Sequence, residues 1–250
     1  MNKEDEILKN HIKDLANRCY QNNMYTFTDF LSLADENVYY SIEREVNFVK
    51  ATLFGGHDCC ERKVLRFGSA EQLGYEEEFP ITILKIKPLM AKFSDELTHR
   101  DVLGALMNLG IERSVLGDIL LKGKEIYLFC LSSIVEFICE KLTRIKHTSV
   151  MCEVAESVPV PDEAEKIRKD IQIQSERIDG VVAKVYNMSR SRCALLFTER
   201  RIFVNGRLNE NHSYQLKSGD VITVRGMGRF TYLGADGMSR KGKLCATIEV

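Results

Sequence analysis

Residues 189–230 read SRSRCALLFTERRIFVNGRLNENHSYQLKSGDVITVRGMGRF. Ser189 is a residue type suited to a helix N-cap, and Arg190 and Arg192 fall in the first turn of the short helix that follows. Ile202-Phe203-Val204 favours a strand, and Asn205-Gly206 is a strong signal for a tight hairpin turn. Gly219-Asp220 marks a second turn before the alternating Val221 and Thr223. That strand ends in two arginines, Arg225 and Arg229, around Gly226 and Gly228. Upstream, Ile178, Val181, Val182 and Val185 recur at i, i+3, i+4 and i+7, the apolar stripe of a further helix. The expectation from residue 177 onward is two helices followed by a small sheet.

Charge separates this end from the rest. Residues 177–250 hold 13 Lys and Arg against 6 Asp and Glu, while the whole chain has a net charge of −1. A basic end on an acidic body suits a polyanionic partner at one end only. Arg177 and Lys184 stand seven apart and share a helix face. Arg190 and Arg192, beside the free N–H groups of a helix start, make a phosphate site. Arg200, Arg201 and Arg207 bracket the strand Ile202–Val204, and Lys217 precedes the next. Each arginine alone reads as a solvated charge; grouped around one small core they match a nucleic-acid footprint.

The rest of the chain reads as two further α+β segments. Ile7, Leu8, Ile12, Leu15 and Cys19 predict a first helix. Residues 25–46, YTFTDFLSLADENVYYSIEREV, predict a second, with Thr28 as N-cap. Gly55-Gly56 is a turn, and Val64, Leu65 and Phe67 suit a strand. Residues 79–155 have the order β-α-β-β-α-β: FPITILKIK, THRDVLGALMNLG, SVLGDILLK, EIYLFCL, SSIVEFICEKLTRI and HTSVMCEV. The expected domains are 1–78, mainly helical; 79–155, central; 156–176, a charged linker with two prolines and room for some helix; and 177–250.

Several attractive motifs fail on inspection. His99-Arg100-Asp101 looks like a kinase catalytic loop, but Asn108 is two positions too far and the other kinase parts are missing. Thr98 and Asp101 instead make the capping box of a helix start. Gly226 and Gly228 lack the third glycine and the helix of a dinucleotide site. Tyr127 and Phe129 share a strand face, as in base-stacking RNA-recognition motifs, but without the glycines of that consensus they read as core. The eight cysteines form no C-x-x-C pair, and the one His57/Cys59 spacing has no second ligand pair, so reduced thiols and no metal are expected. No cofactor loop or nucleophile–base set stands out. No apolar run is long enough to span a membrane, and the acidic start is no secretory signal, so a cytoplasmic protein is expected.

At Ser189-Arg190, Val204-Asn205-Gly206 and Gly219-Asp220-x-Ile222 before Val224-Arg225-Gly226, the chain resembles the S-four RNA-binding domain. The ending R-G-x-G-R-F is similar to that of the bacterial YlmH family. Residues 98–120 resemble that family's central signature, and TFTDFLS and GGHDCCERKVL its N-terminal segments. Thr223 stands where serine is expected.

The resemblance implies an α+β fold of three parts: an N-terminal helical α/β unit, a central ferredoxin-like (RRM-like) domain and a C-terminal S-four-type (alpha-L) RNA-binding domain. It further implies a non-catalytic protein, a monomer when free, that binds ribosomal RNA and tRNA on the large ribosomal subunit in ribosome-associated quality control of stalled peptidyl-tRNA. Arg177, Lys184, Arg190, Arg192, Arg200, Arg201, Lys217, Arg225 and Arg229 are then the phosphate contacts, with Ser189 and Asn205 orienting. The competing readings are an RNA-modifying enzyme, or accessory, that uses the C-terminal domain for substrate delivery, and a cell-division interaction protein.

Overall fold

The computed structural model describes residues 3–58, 60–90, 92, 94–158, 167–238 and 242–250. Cys59 and linker residues 159–166 therefore lie outside the described residues. The chain divides into two compact units, Met1–Pro161 and Asp162–Val250.

The first unit begins with helix α1 (Lys3–Asn22), which buries Ile12, Leu15, Ala16 and Cys19 along one face. Strand β1 (Thr26–Leu31), helix α2 (Leu33–Ile42), strands β2 (Ala51–Phe54) and β3 (Lys63–Phe67) and the short α3 (Ala70–Leu73) follow. The strands form an antiparallel sheet in the order β1-β3-β2. The single helix expected over 25–46 is thus corrected to a strand and a helix. Thr28 is no cap: its Oγ1 accepts the Leu65 N–H of β3 at 3.0 Å. The cap is Ser32, whose Oγ accepts from Asp35 N at 3.3 Å while Asp35 Oδ2 accepts from Ser32 N at 2.8 Å. Two β-branched threonines on the buried face of Thr26–Leu31 favour the extended chain, and the capping box sets where the helix can start.

Next come β4 (Ile81–Pro88), α4 (His99–Asn108), β5 (Leu116–Lys122), β6 (Glu125–Leu131), α5 (Val135–Lys141), β7 (Arg144–Ile145) and β8 (Thr148–Ala155). The order is the β-α-β-β-α-β read from the sequence, with β7 added. The helix expected over 132–145 ends at Lys141, because Arg144 and Ile145 pair with β8. The sheet is antiparallel throughout, in the order β5-β6-β4-β8-β7. Thr98 caps α4 as expected: Asp101 Oδ2 accepts from Thr98 N at 2.8 Å, and Thr98 Oγ1 accepts from Asp101 N at 3.4 Å.

Strand alternation sends the side chains of this sheet to two different cores. Leu84, Ile86, Ile126, Leu128 and Cys130 pack with Val102 and Leu106 of α4 and Ile138 of α5. Tyr127 and Phe129 point the other way, into a layer with Phe30 of β1 and Val64 of β3. The two sheets therefore lie face to face within one unit. Gly117 makes the contact possible: a Cβ there would stand 2.8 Å from both Phe129 Cβ and Phe30 Cε1. Two half-buried arginines fasten the joint. Arg62 donates through Nη2 to the Phe30 carbonyl at 2.7 Å and through Nε to the Leu116 carbonyl at 2.9 Å. Arg113 Nη1 donates to the Leu116 and Gly117 carbonyls at 2.6 and 3.0 Å. Asp118 Oδ2 accepts the Glu61 N–H at the same place.

The second unit has β9 (Arg168–Ile173), α6 (Ile178–Val185), α7 (Arg190–Thr198), β10 (Ile202–Val204), β11 (Arg207–Leu208), β12 (Val221–Val224), β13 (Gly228–Met238) and β14 (Leu244–Glu249). One antiparallel sheet runs in the order β11-β10-β12-β13-β14-β9. Its core joins Ile178, Val181 and Val182 of α6 and Phe197 of α7 to Ile202, Ile222, Val224, Phe230 and Ile248 of the sheet. The linker expected over 156–176 is corrected in part, because 168–173 is an edge strand paired with β14. It is charged and polar except for Ile171 and Ile173, as suits an edge that must not pair with other chains.

Among the described residues, no helix is long and apolar enough to cross a membrane. The described cysteines are free thiols, and Cys19, Cys60, Cys130 and Cys193 are buried. Burial pushes the Cys130 and Cys152 thiols up to about 12, which keeps them protonated and unreactive.

Candidate nucleic-acid interface

The expected contact residues sit at the ends of α6, α7 and the strands of the second unit. Ser189 is the N-cap of α7, its Oγ accepting from Arg192 N at 3.2 Å. Arg190 and Arg192 are thereby fixed in the exposed first turn. Arg190 Nη2 donates to Gln174 Oε1 at 2.9 Å. Arg177, the N-cap residue of α6, folds back on Asp179 with Nε and Nη2 at 3.1 and 3.0 Å. Burial works to raise the Asp179 carboxyl, but hydrogen bonds from Arg177 and Gly180 N–H outweigh it and hold the group below the usual range.

A second corner forms at the turn between β12 and β13. Arg225 N donates to the Arg201 carbonyl at 2.9 Å. The Arg201 guanidinium returns to the Arg225 carbonyl, with Nε and Nη2 at 3.0 and 2.5 Å. A Cβ on Gly226 would lie 2.7 Å from Arg201 Nη2. The glycine thus makes room for the chain's own arginine. Gly228 lies beside the Tyr186 hydroxyl, and Tyr186 packs edge-on against Phe230 at 6.1 Å.

The Asn205-Gly206 turn is tight as expected, with φ of 51° and 77°. The Asn205 side chain, expected to orient RNA, makes internal hydrogen bonds. Its Nδ2 donates to Asp220 Oδ1 at 2.8 Å and its Oδ1 accepts from Val221 N at 2.8 Å. Buried Asp220 also accepts from Lys217 N at 2.8 Å and Tyr214 Oη at 3.3 Å. A short amide and a buried carboxylate are here the fasteners of two neighbouring turns.

Three of the nine expected cations have a carboxylate partner: Arg177 with Asp179, Arg200 with Glu210 at 3.5 Å and Arg201 with Glu199 at 3.2 Å. Arg201 is also tied to the Arg225 carbonyl, whereas the Arg200–Glu210 pair is solvent-exposed and weak. Among the described residues, Lys184, Arg190, Arg192, Lys217, Arg225 and Arg229 form no salt bridge, and all six are exposed. The carboxylates of this unit are largely spent on internal contacts, so the positive excess remains at the surface. Sequence reasoning missed the arginine pair Arg62 and Arg113 in the first unit, since their partners are distant backbone carbonyls and leave no local signal.

Surplus cations on the last unit of an antiparallel α+β chain are the electrostatic footprint that suits a polyanionic partner. Residues 75–158 match the family model described as "Putative RNA-binding domain in YlmH". The likeness to the YlmH family expected from the motifs is borne out. A relative from Bacillus subtilis (strain 168), the ribosome-associated protein quality control protein P2, is 26% identical over 227 residues, covering 89% of this chain and 86% of its own. A solved structure, the cell division protein ylmH from Streptococcus pneumoniae, aligns with a TM-score of 0.49 at 19% identity, covering 62% of this chain and 93% of that one.

Proposed function

We propose that this protein is a non-catalytic RNA-binding factor that holds ribosomal RNA and tRNA on the large ribosomal subunit and acts in ribosome-associated quality control of stalled peptidyl-tRNA. In this reading residues 79–155 are a ferredoxin-like domain and residues 177–250 an S-four-type domain, and the protein works in the cytoplasm. The observation that carries it is the surface of the second unit, where Lys184, Arg190, Arg192, Lys217, Arg225 and Arg229 are exposed and form no salt bridge among the described residues. Phosphates are the natural counter-charge for such a set. The Bacillus subtilis relative, whose name ties it to the ribosome and to quality control, supplies the setting.

The test is co-sedimentation of the full chain with purified large ribosomal subunits over a salt series. Phosphate contacts predict a log–log slope that falls by about 0.7–0.9 for each contact removed. Arg190→Glu combined with Arg225→Glu should abolish co-sedimentation at moderate salt. Binding that survives both the double reversal and high salt would refute the proposal. Nucleoside analysis of ribosomal RNA and tRNA after incubation with the protein should show no new modified base.

A further inference from the structure

In RNA-recognition motifs the open sheet face stacks bases on exposed aromatics. Here that face is covered: Tyr127 and Phe129 are 3% and 0% exposed beneath β1 and β3. An RNA-binding domain in this unit must meet its ligand elsewhere.

The helical side offers a place. A cleft of about 610 Å³ opens between α4 and the stretch from the end of α5 through β7. One wall is the stripe Arg100, Gly104 and Asn108 of α4, spaced i, i+4 and i+8. The other holds Lys141, Arg144 and Lys146, and all six residues are exposed. The carboxylate in the lining is Asp101, which Lys146 holds at 2.7 Å and the Thr98 cap also binds. Lys141 lies 3.8 Å from Glu140, a solvent-exposed and weak pairing. Arg100 and Arg144 form no salt bridge among the described residues. No aromatic residue lines the cleft, so a base has nothing to stack on, whereas phosphate and ribose oxygens meet four cations. Gly104 keeps the α4 wall bare, and a Cβ there would meet nothing within 4 Å.

We propose that this cleft seats the phosphodiester backbone of a folded RNA, as a contact separate from the one on the second unit. It rests on the reading of the chain as RNA-binding and adds a second site to it.

The test uses the full chain and purified large-subunit ribosomal RNA in filter binding between about 50 and 200 mM salt. Two cleft variants probe different physics. Lys141→Glu with Arg144→Glu reverses the charge. Gly104→Leu narrows the cleft with no change of charge, at a position where a Cβ meets nothing within 4 Å. Each should weaken binding by about tenfold, and the charge reversal should also flatten the salt dependence. Lys124→Glu, in the β5–β6 turn, should bind as the parent does. Melting curves matching the parent's establish that the variants fold. If both cleft variants bind like the parent while Arg225→Glu with Arg229→Glu does not, the cleft is overturned and RNA binding by the second unit stands. If the unaltered chain binds no ribosomal RNA, both readings fall together.

Discussion

Glu36 is fully buried in α2, and among the described residues neither of its carboxylate oxygens has a hydrogen-bond partner. Burial, opposed by the Lys63 charge and aided by Asp35, raises its pKa to about 7 from the ordinary 4.5. The folded chain therefore keeps this proton at a pH where the unfolded chain has lost it. Stability should fall as pH rises from about 4.5 to about 7, then level off, with a total cost of about 3 kcal/mol. Glu36→Gln should remove that slope, stabilising the protein at pH 8 but not at pH 4, as read from urea midpoints across the pH range. At this scale the sequence was legible at two caps whose partner is three residues away, although Ser32 with Asp35, equally close, was passed over for Thr28. Thr98 with Asp101 and Ser189 with Arg192 announce their caps directly. It was illegible where the partner is distant. Nothing in a linear reading links Arg62 to the Phe30 carbonyl, or Asn205 to Asp220.

Elements differ in how clearly they announce themselves for a related reason. The valine stripe of α6 and the alternation in β12 survive into the structure because one face of each is apolar and the other polar. Residues 26–31 also fit a helical spacing through Phe27, Phe30 and Leu31, and it is the distant pairing with β3, with the hydrogen bond from Leu65 N to Thr28, that decides for a strand. Strand β9 escaped notice because its edge position calls for charge where a central strand calls for valine. Two substitutions test what holds the elements. Gly117→Ala should cost about 1–3 kcal/mol by overpacking against Phe129 and Phe30, measured by chemical denaturation. Ser189→Ala should cost about 1 kcal/mol through the lost cap on α7, with a matching drop in the melting temperature.

For the molecule as a whole, the sequence foretold the imbalance of charge but not its local distribution. Counting could place an excess of 7 positive charges in residues 177–250; it could not tell that Arg177, Arg200 and Arg201 would be held by neighbours. Nor could it find a second group of cations in residues 79–155, where Lys and Arg barely outnumber Asp and Glu. If the two groups grip RNA independently, their reversals should add in log affinity, and the quadruple variant measured against each double variant checks this. Less-than-additive losses would place both groups on one shared segment of RNA.

The stacked sheets of the first unit also bear on how the protein can be handled. Cut free at residue 79, the portion that matches the RNA-binding family would present Tyr127, Phe129, Ile81, Ile83 and Leu120 to water as a continuous oily plate. Such a fragment should clump on purification and bind dyes that light up in greasy surroundings, whereas the segment retaining the preceding 78 residues should stay clear in solution.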